Sequence, residues 1–138
     1  MPAKKFEFLE HTADIKFRIY GRRLEEIFAN CALAVSHILS RGKKIRAVKK
    51  KKFVVCGKDY ESMIYDFIDE LIYLFDAKEF IVSKVKATVK EGQISILAFG
   101  DDVSRYKDLD SIKSATYAEM YIKQLKNKKW EAQVVVDV

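Results

Sequence analysis

The stretch Glu10-His11-Thr12-Ala13-Asp14-Ile15 gathers carboxylate, imidazole and hydroxyl groups within a few positions, then runs into the alternating segment Ile15-Lys16-Phe17-Arg18-Ile19. Period-two alternation is the pattern of a half-buried strand. The polar cluster therefore sits at the mouth of a strand, where a scaffold can hold its side chains. The far end of the chain offers a counterpart: Val134-Val135-Val136-Asp137-Val138 is an apolar strand closing on an aspartate and the α-carboxylate.

If the two ends meet, the chemistry on offer is that of oxygen ligands. A carboxylate beside a buried strand is costly unless something offsets it. A hard cation, calcium or magnesium, does so by taking carboxylate, carbonyl and water oxygens. Asp14, Asp137 and the Val138 carboxylate could supply three anionic groups, with Asp101 a further neighbour. A pair of carboxylates could also work as general acid and base. The plainer alternative stays open, with Asp14 an ordinary cap or turn residue and Asp137 part of a frayed end. Lys113, just before the run Ser114-Ala115-Thr116-Tyr117, could contact a phosphate or steady the carboxylates, or be one more solvated lysine.

Other chemistries find no support. The five glycines are scattered singly, so no glycine-rich phosphate loop exists. His11 and His37 are far apart, and neither CxxC nor HExxH occurs. Cys31 and His37, six residues apart on one helix, point to different faces. Both Cys31 and Cys56 read as small core residues, which fits a reducing cytoplasm. The start Met1-Pro2-Ala3-Lys4-Lys5 lacks an apolar export segment, and no stretch approaches the length of a membrane span.

The 138 residues are 49% hydrophobic, enough for one domain with a real core. Charged residues make up 33%, with a formal net charge of +6. A basic balance suits an acidic partner such as nucleic acid, and equally suits plain solubility. The run Lys49-Lys50-Lys51-Lys52 could bind phosphate. In a strand, however, alternate lysines face opposite ways, and lysines also protect an exposed sheet edge.

Positioning elements follow from periodicity. Apolar spacings of three and four predict a helix from Arg22 to about Leu39 and another from Tyr60 to about Phe75, N-capped by Asp59. The broader stripe of the second predicts that it is the more buried. Strands are expected at Phe6–Leu9, Asp14–Tyr20, about 45–56, Phe80–Lys90 and Gln93–Phe99 around a Glu91-Gly92 turn, about 112–125, and Trp130–Val136. This mixed order predicts an α+β fold: a mostly antiparallel β-sheet sandwich with two α-helices packed on it, one domain over residues 1–138.

Taken together, the Glu10–Ile15 cluster, the strand-ending Gly21, the helix start Leu24-Glu25-Glu26-Ile27-Phe28, Lys113-Ser114-Ala115-Thr116-Tyr117 and the ending Trp130–Val138 resemble the archease family over essentially the whole chain. The resemblance implies a compact α+β sandwich and an accessory protein rather than a stand-alone enzyme. Its partner would be an RtcB-type RNA ligase, which joins RNA ends in tRNA splicing through a GTP-derived guanylylated histidine. The accessory protein speeds guanylylation and permits repeated turnover.

Carried over by motif, the metal ligands fall on Asp14, Asp137 and Val138, beside His11 and Thr12, and the functional lysine falls on Lys113. This chain departs from the family pattern at Lys16, where a small residue is common, at Ala118, where a histidine is usual, and at Gly100-Asp101, where Gly-Glu is usual. A rival reading is a basic nucleic-acid-binding or chaperone-like module with a structural metal.

Overall fold

The computed structural model describes residues 4–10 and 14–138. In chain order the elements are β1 (Phe6–Leu9), β2 (Ile15–Gly21), α1 (Leu24–Ser40), β3 (Lys49–Cys56), α2 (Tyr60–Lys78), β4 (Phe80–Lys90), β5 (Gln93–Asp102), a single 3-10 turn (Val103–Arg105), β6 (Ser114–Gln124) and β7 (Trp130–Asp137). They form two antiparallel sheets, one of four strands in the order β1-β2-β7-β6 and one of three in the order β3-β5-β4. The fold is α+β, as the element order predicts.

The helices join the sheets. α1 packs on β2 of the larger sheet and on β4 of the smaller; α2 packs on β6 and on β3 and β4. One apolar cluster runs through all three layers, from Phe17, Ile19, Val134 and Val136 through both helices to Val55, Val85, Ile94 and Ile96. At its centre the rings of Phe28 and Phe67 meet edge to face with centroids 5.3 Å apart. Both side chains are fully buried, so truncating either to alanine costs about 3–5 kcal/mol.

The predicted order of helix burial is reversed. α1 buries twelve residues and α2 only seven. α1 carries small residues at Ala32, Ala34, Ser36 and Ser40, and these let it sink between the sheets where apolar periodicity alone shows no stripe. α2 keeps a solvated acidic face, with Asp66, Asp69 and Asp76 exposed. Its start is as read: Asp59 accepts from the Ser62 backbone N–H at 2.8 Å, and Ser62 closes a reciprocal capping box.

Other details differ from expectation, and α2 runs on to Lys78. β3 starts at Lys49; just before it the Val48 backbone N–H donates to the Gly100 carbonyl at 2.9 Å, and further back the Ser83 hydroxyl donates to the Ile45 carbonyl at 2.8 Å. β5 runs on to Asp102, and Gly100 makes this possible. A Cβ there would lie 2.1 Å from the Ile81 carbonyl oxygen, so only glycine lets β4 and β5 approach this closely. β6 is one span, but its pairing with β7 breaks between Thr116 and Tyr121, and Glu119 adopts a positive φ of 54°. Cys31 is fully buried, as expected, and burial pushes its thiol well above the usual range. Cys56 is exposed instead, because β3 is an edge strand with one solvated side.

Candidate functional site

Strand register assembles the first candidate cluster. Ile15 is paired with Val136, so Asp14, one step before β2, lies at the level of Asp137 on β7. Ser114 on β6 is paired with Asp137, and the backbone N–H of Lys113 donates to the Asp137 carbonyl at 2.8 Å. Asp14, Asp137, Val138 and Lys113 therefore gather at one end of three neighbouring strands, β2-β7-β6. Residues 99 or more positions apart in sequence meet because both chain ends feed the centre of one sheet. Asp137, Val138 and Lys113 are exposed, whereas Asp14 is half-buried with its Oδ1 atom shut off from solvent.

Beside this edge opens a cleft of about 440 Å³, lined by Glu10, Asp14, His37, Arg41 and Asp110 over an apolar floor of Phe8, Leu9, Ile15 and Ile38. The end of α1 forms one wall. The Asp110 backbone N–H donates to the Leu39 carbonyl at 2.8 Å, and Arg41 lies 3.7 Å from the Asp110 carboxylate. His37 sits against the ring of Phe8, centroids 5.3 Å apart. The sequence considers His37 only against His11 and Cys31 and gives Arg41 and Asp110 no role in a site. Their one signal is position: His37 in the last turn of α1, Arg41 at its C-cap and Asp110 in a polar loop.

Asp101 is not part of this group. It lies on β5 of the smaller sheet and does not line the cleft. Its carboxylate is 1% exposed and already engaged: Oδ1 accepts from the Asp102 backbone N–H at 2.8 Å, Oδ2 from the Tyr106 hydroxyl at 2.9 Å, and Arg105 stands 3.5 Å away. Burial works against its charge, but those hydrogen bonds and the nearby Arg105 and Arg46 outweigh it and hold the carboxyl below its ordinary value. The Tyr106 hydroxyl in turn accepts from the Arg46 backbone N–H at 2.9 Å, so Asp101 fastens two loops to β5. His11 and Thr12 lie outside the described residues.

The donor set at the β2-β7-β6 edge suits a hard cation. Asp14 and Asp137 offer anionic oxygen and no sulfur. Among the described residues, no three His, Cys, Asp or Glu side chains converge as a ligand set. A cation here would therefore draw two side-chain carboxylates from Asp14 and Asp137. Also among the described residues, no helix is long and apolar enough to cross a membrane.

The sequence profile of the archease protein family matches residues 6–138. The chain belongs to the archease family. Archeases from Methanosarcina mazei and Pyrococcus furiosus are 35% and 36% identical to it, each over 98% of this chain and over 97% and 99% of their own lengths. The solution structure of protein 1598 from Methanobacterium thermoautotrophicum superimposes with a TM-score of 0.78 at 29% identity, covering 96% of this chain and 98% of that one. The crystal structure of a Thermotoga maritima archease, described as a possible chaperone, shares the fold with a TM-score of 0.62 at 19% identity, over 94% of each chain.

Proposed function

We propose that this chain is an accessory activator of an RtcB-type RNA ligase in tRNA splicing, a protein cofactor rather than an enzyme in its own right, working in the cytoplasm. One observation carries the reading. The strand register sets Asp14 level with Asp137 and ties Lys113 to Asp137 through the backbone, so the three residues gather at one end of β2-β7-β6.

Asp14, Asp137 and the Val138 carboxylate would hold a divalent cation, calcium or magnesium. When bound, that cation supplies positive charge against the triphosphate of GTP. The chain's own residues do the rest. β2 and β7 are neighbours within a four-stranded sheet, so the two aspartates are carried on rigid backbone. The backbone bond from Lys113 fixes the carbonyl of Asp137, while its exposed side chain faces outward, available to a phosphate. Ala118 lies in the stretch where β6 leaves its register, so the family histidine absent at this position is missing from a loop-like excursion and not from the carboxylate edge.

The test is multiple-turnover RNA ligation with the cognate ligase at substoichiometric level. The native chain is expected to support many turnovers, and Asp14→Ala or Asp137→Ala about one, with unfolding temperatures close to native. Calorimetric titration with calcium and with magnesium should show heat for the native chain and none for Asp137→Ala. Ligation unaffected by both substitutions would overturn the carboxylate reading, and no stimulation by the native chain would overturn the ligase reading.

A further inference from the structure

The lysine run left unassigned by the sequence is resolved by register. β3 pairs with β5 and β5 with β4, which places Lys50, Phe99 and Lys84 in one row across the smaller sheet and Lys52, Leu97 and Lys86 in the next. A further row ends on Lys90, paired with Gln93. The intervening rows turn the other way, with Ala98, Ile96 and Ile94 buried towards the helices. Lys49 belongs to that other set and pairs with Asp102 at 2.9 Å. The run is thus split, and only half of it belongs to the outer face.

Over these rows the outer face has one sign; Asp101, next along β5, is buried and engaged by Tyr106 and Arg105. Lys50, Lys52, Lys84, Lys86 and Lys90 are exposed, and among the described residues none of them makes an ion pair. The four paired rows from Lys50 to Cys56 contain no carboxylate. Both β3 and β4 are edge strands, and lysines guard edges against pairing. Edge protection, however, is met by charge of either sign. It accounts neither for the exclusion of acid nor for the apolar column of Phe99 and Leu97 between the lysines.

Geometry supplies a better account. Neighbouring strands are about 4.8 Å apart, so the two lysine columns stand about 10 Å apart, and successive rows follow at about 6.7 Å. Two cationic rails flank a half-exposed ring and an aliphatic side chain. The Lys84 ammonium lies 5.6 Å from the centroid of the Phe99 ring. A polyanion with flat apolar units matches this layout, its phosphates at the rails and its bases over Phe99 and Leu97.

We propose that the outer face of β3-β5-β4 binds single-stranded RNA through Lys50, Lys52, Lys84 and Lys86, with Phe99 as a base-stacking platform. The helix layer separates this face from the carboxylate edge. It therefore adds a second contact, on a different sheet, and does not rest on the ligase reading.

The probe is a fluorescein-labelled U12 RNA, followed by anisotropy between about 50 and 200 mM salt. The native chain should bind, with affinity falling steeply as salt rises. Lys84→Ser with Lys86→Ser should flatten the log–log salt slope by about 1.4, each phosphate contact contributing about 0.7. Phe99→Leu, which keeps an apolar side chain, should weaken binding about fivefold or more by loss of stacking. As control, Lys126→Ser with Lys128→Ser, in the turn before β7, should change neither. Equal loss in the control pair would overturn the proposal, since binding would then follow total charge. So would an affinity indifferent to Phe99→Leu together with equal competition by polyglutamate, which would assign the face to an acidic protein. No binding at the lowest salt would overturn it outright.

Discussion

The two sheets share one core and one antiparallel plan, yet they treat charge on their outer faces in opposite ways. On the larger sheet charges are answered. Lys16 meets Glu119 at 3.2 Å, the Tyr20 hydroxyl donates to Glu7 at 2.6 Å, Tyr121 donates to Glu131, and Arg18 donates to Gln133 at 3.0 Å. Gln133, nearly buried, passes its own N–H to the Glu119 carbonyl at 2.8 Å and so pins the excursion of β6 across the face. On the smaller sheet five lysines face water with no acid among them. A surface whose polar groups satisfy one another belongs to the fold, whereas one held at a single sign is suited to something outside it.

The largest expected effect separates how the sheets are held. The smaller sheet depends on a close backbone approach at Gly100, where an added Cβ meets the Ile81 carbonyl and the Phe80 ring. Gly100→Ala must push β4 from β5, and is expected to cost about 3 kcal/mol, the upper part of the usual range for overpacking. Urea titration should show the lower midpoint with an unchanged slope. A native midpoint would mean that the β4–β5 contact is more yielding than the packing around it implies.

The same comparison shows what was legible in the sequence. Alternation and capping located every strand and both helices, since Asp59, the Leu24–Ile38 stripe and the Val134–Val136 run are local signals. The meeting of Asp14 with Asp137 followed from two strands ending in acid, and needed only that they be neighbours. What stayed hidden was register and depth. That Lys84 and Lys86 share rows with Lys50 and Lys52 depends on β5 lying between them, which no local pattern states. The deep burial of α1 adds the small residues Ala32, Ala34, Ser36 and Ser40 to its apolar stripe, and size carries no periodic signal. Asp101 read as a metal neighbour because its partners Tyr106, Arg105 and Arg46 come from loops whose paths periodicity does not describe.

The next effect is confined to the larger sheet and follows pH. Burial, then the hydrogen bonds to Glu7 and Glu131, push the Tyr20 and Tyr121 hydroxyls up to about 12 from an ordinary value of 10.0. Below pH 10 both tyrosines hold their protons whether the chain is folded or not, and their contribution to stability is complete. Between pH 10 and 12 the unfolded chain releases protons that the folded one retains, so stability falls as pH rises. The unfolding temperature of the native chain should therefore drop across that window. Tyr20→Phe combined with Tyr121→Phe should make the drop shallower while lowering stability at neutral pH, because Glu7 and Glu131 lose a donor.

The smallest effect is the sharpest probe of the contrast, since it asks for almost nothing on one side. Lys84→Ser with Lys86→Ser removes exposed side chains that make no ion pair, so stability should stay within about 0.5 kcal/mol of native. Arg18→Ala on the other sheet should cost about 1 kcal/mol, because Gln133, hardly exposed, would keep an oxygen without its donor. Paired urea titrations read both. If the lysine pair costs as much as Arg18, its charges serve the fold, and the division between a self-satisfied sheet and one held ready for a partner fails. If it costs nothing while U12 RNA binding loses its salt slope, the lysines serve the partner alone.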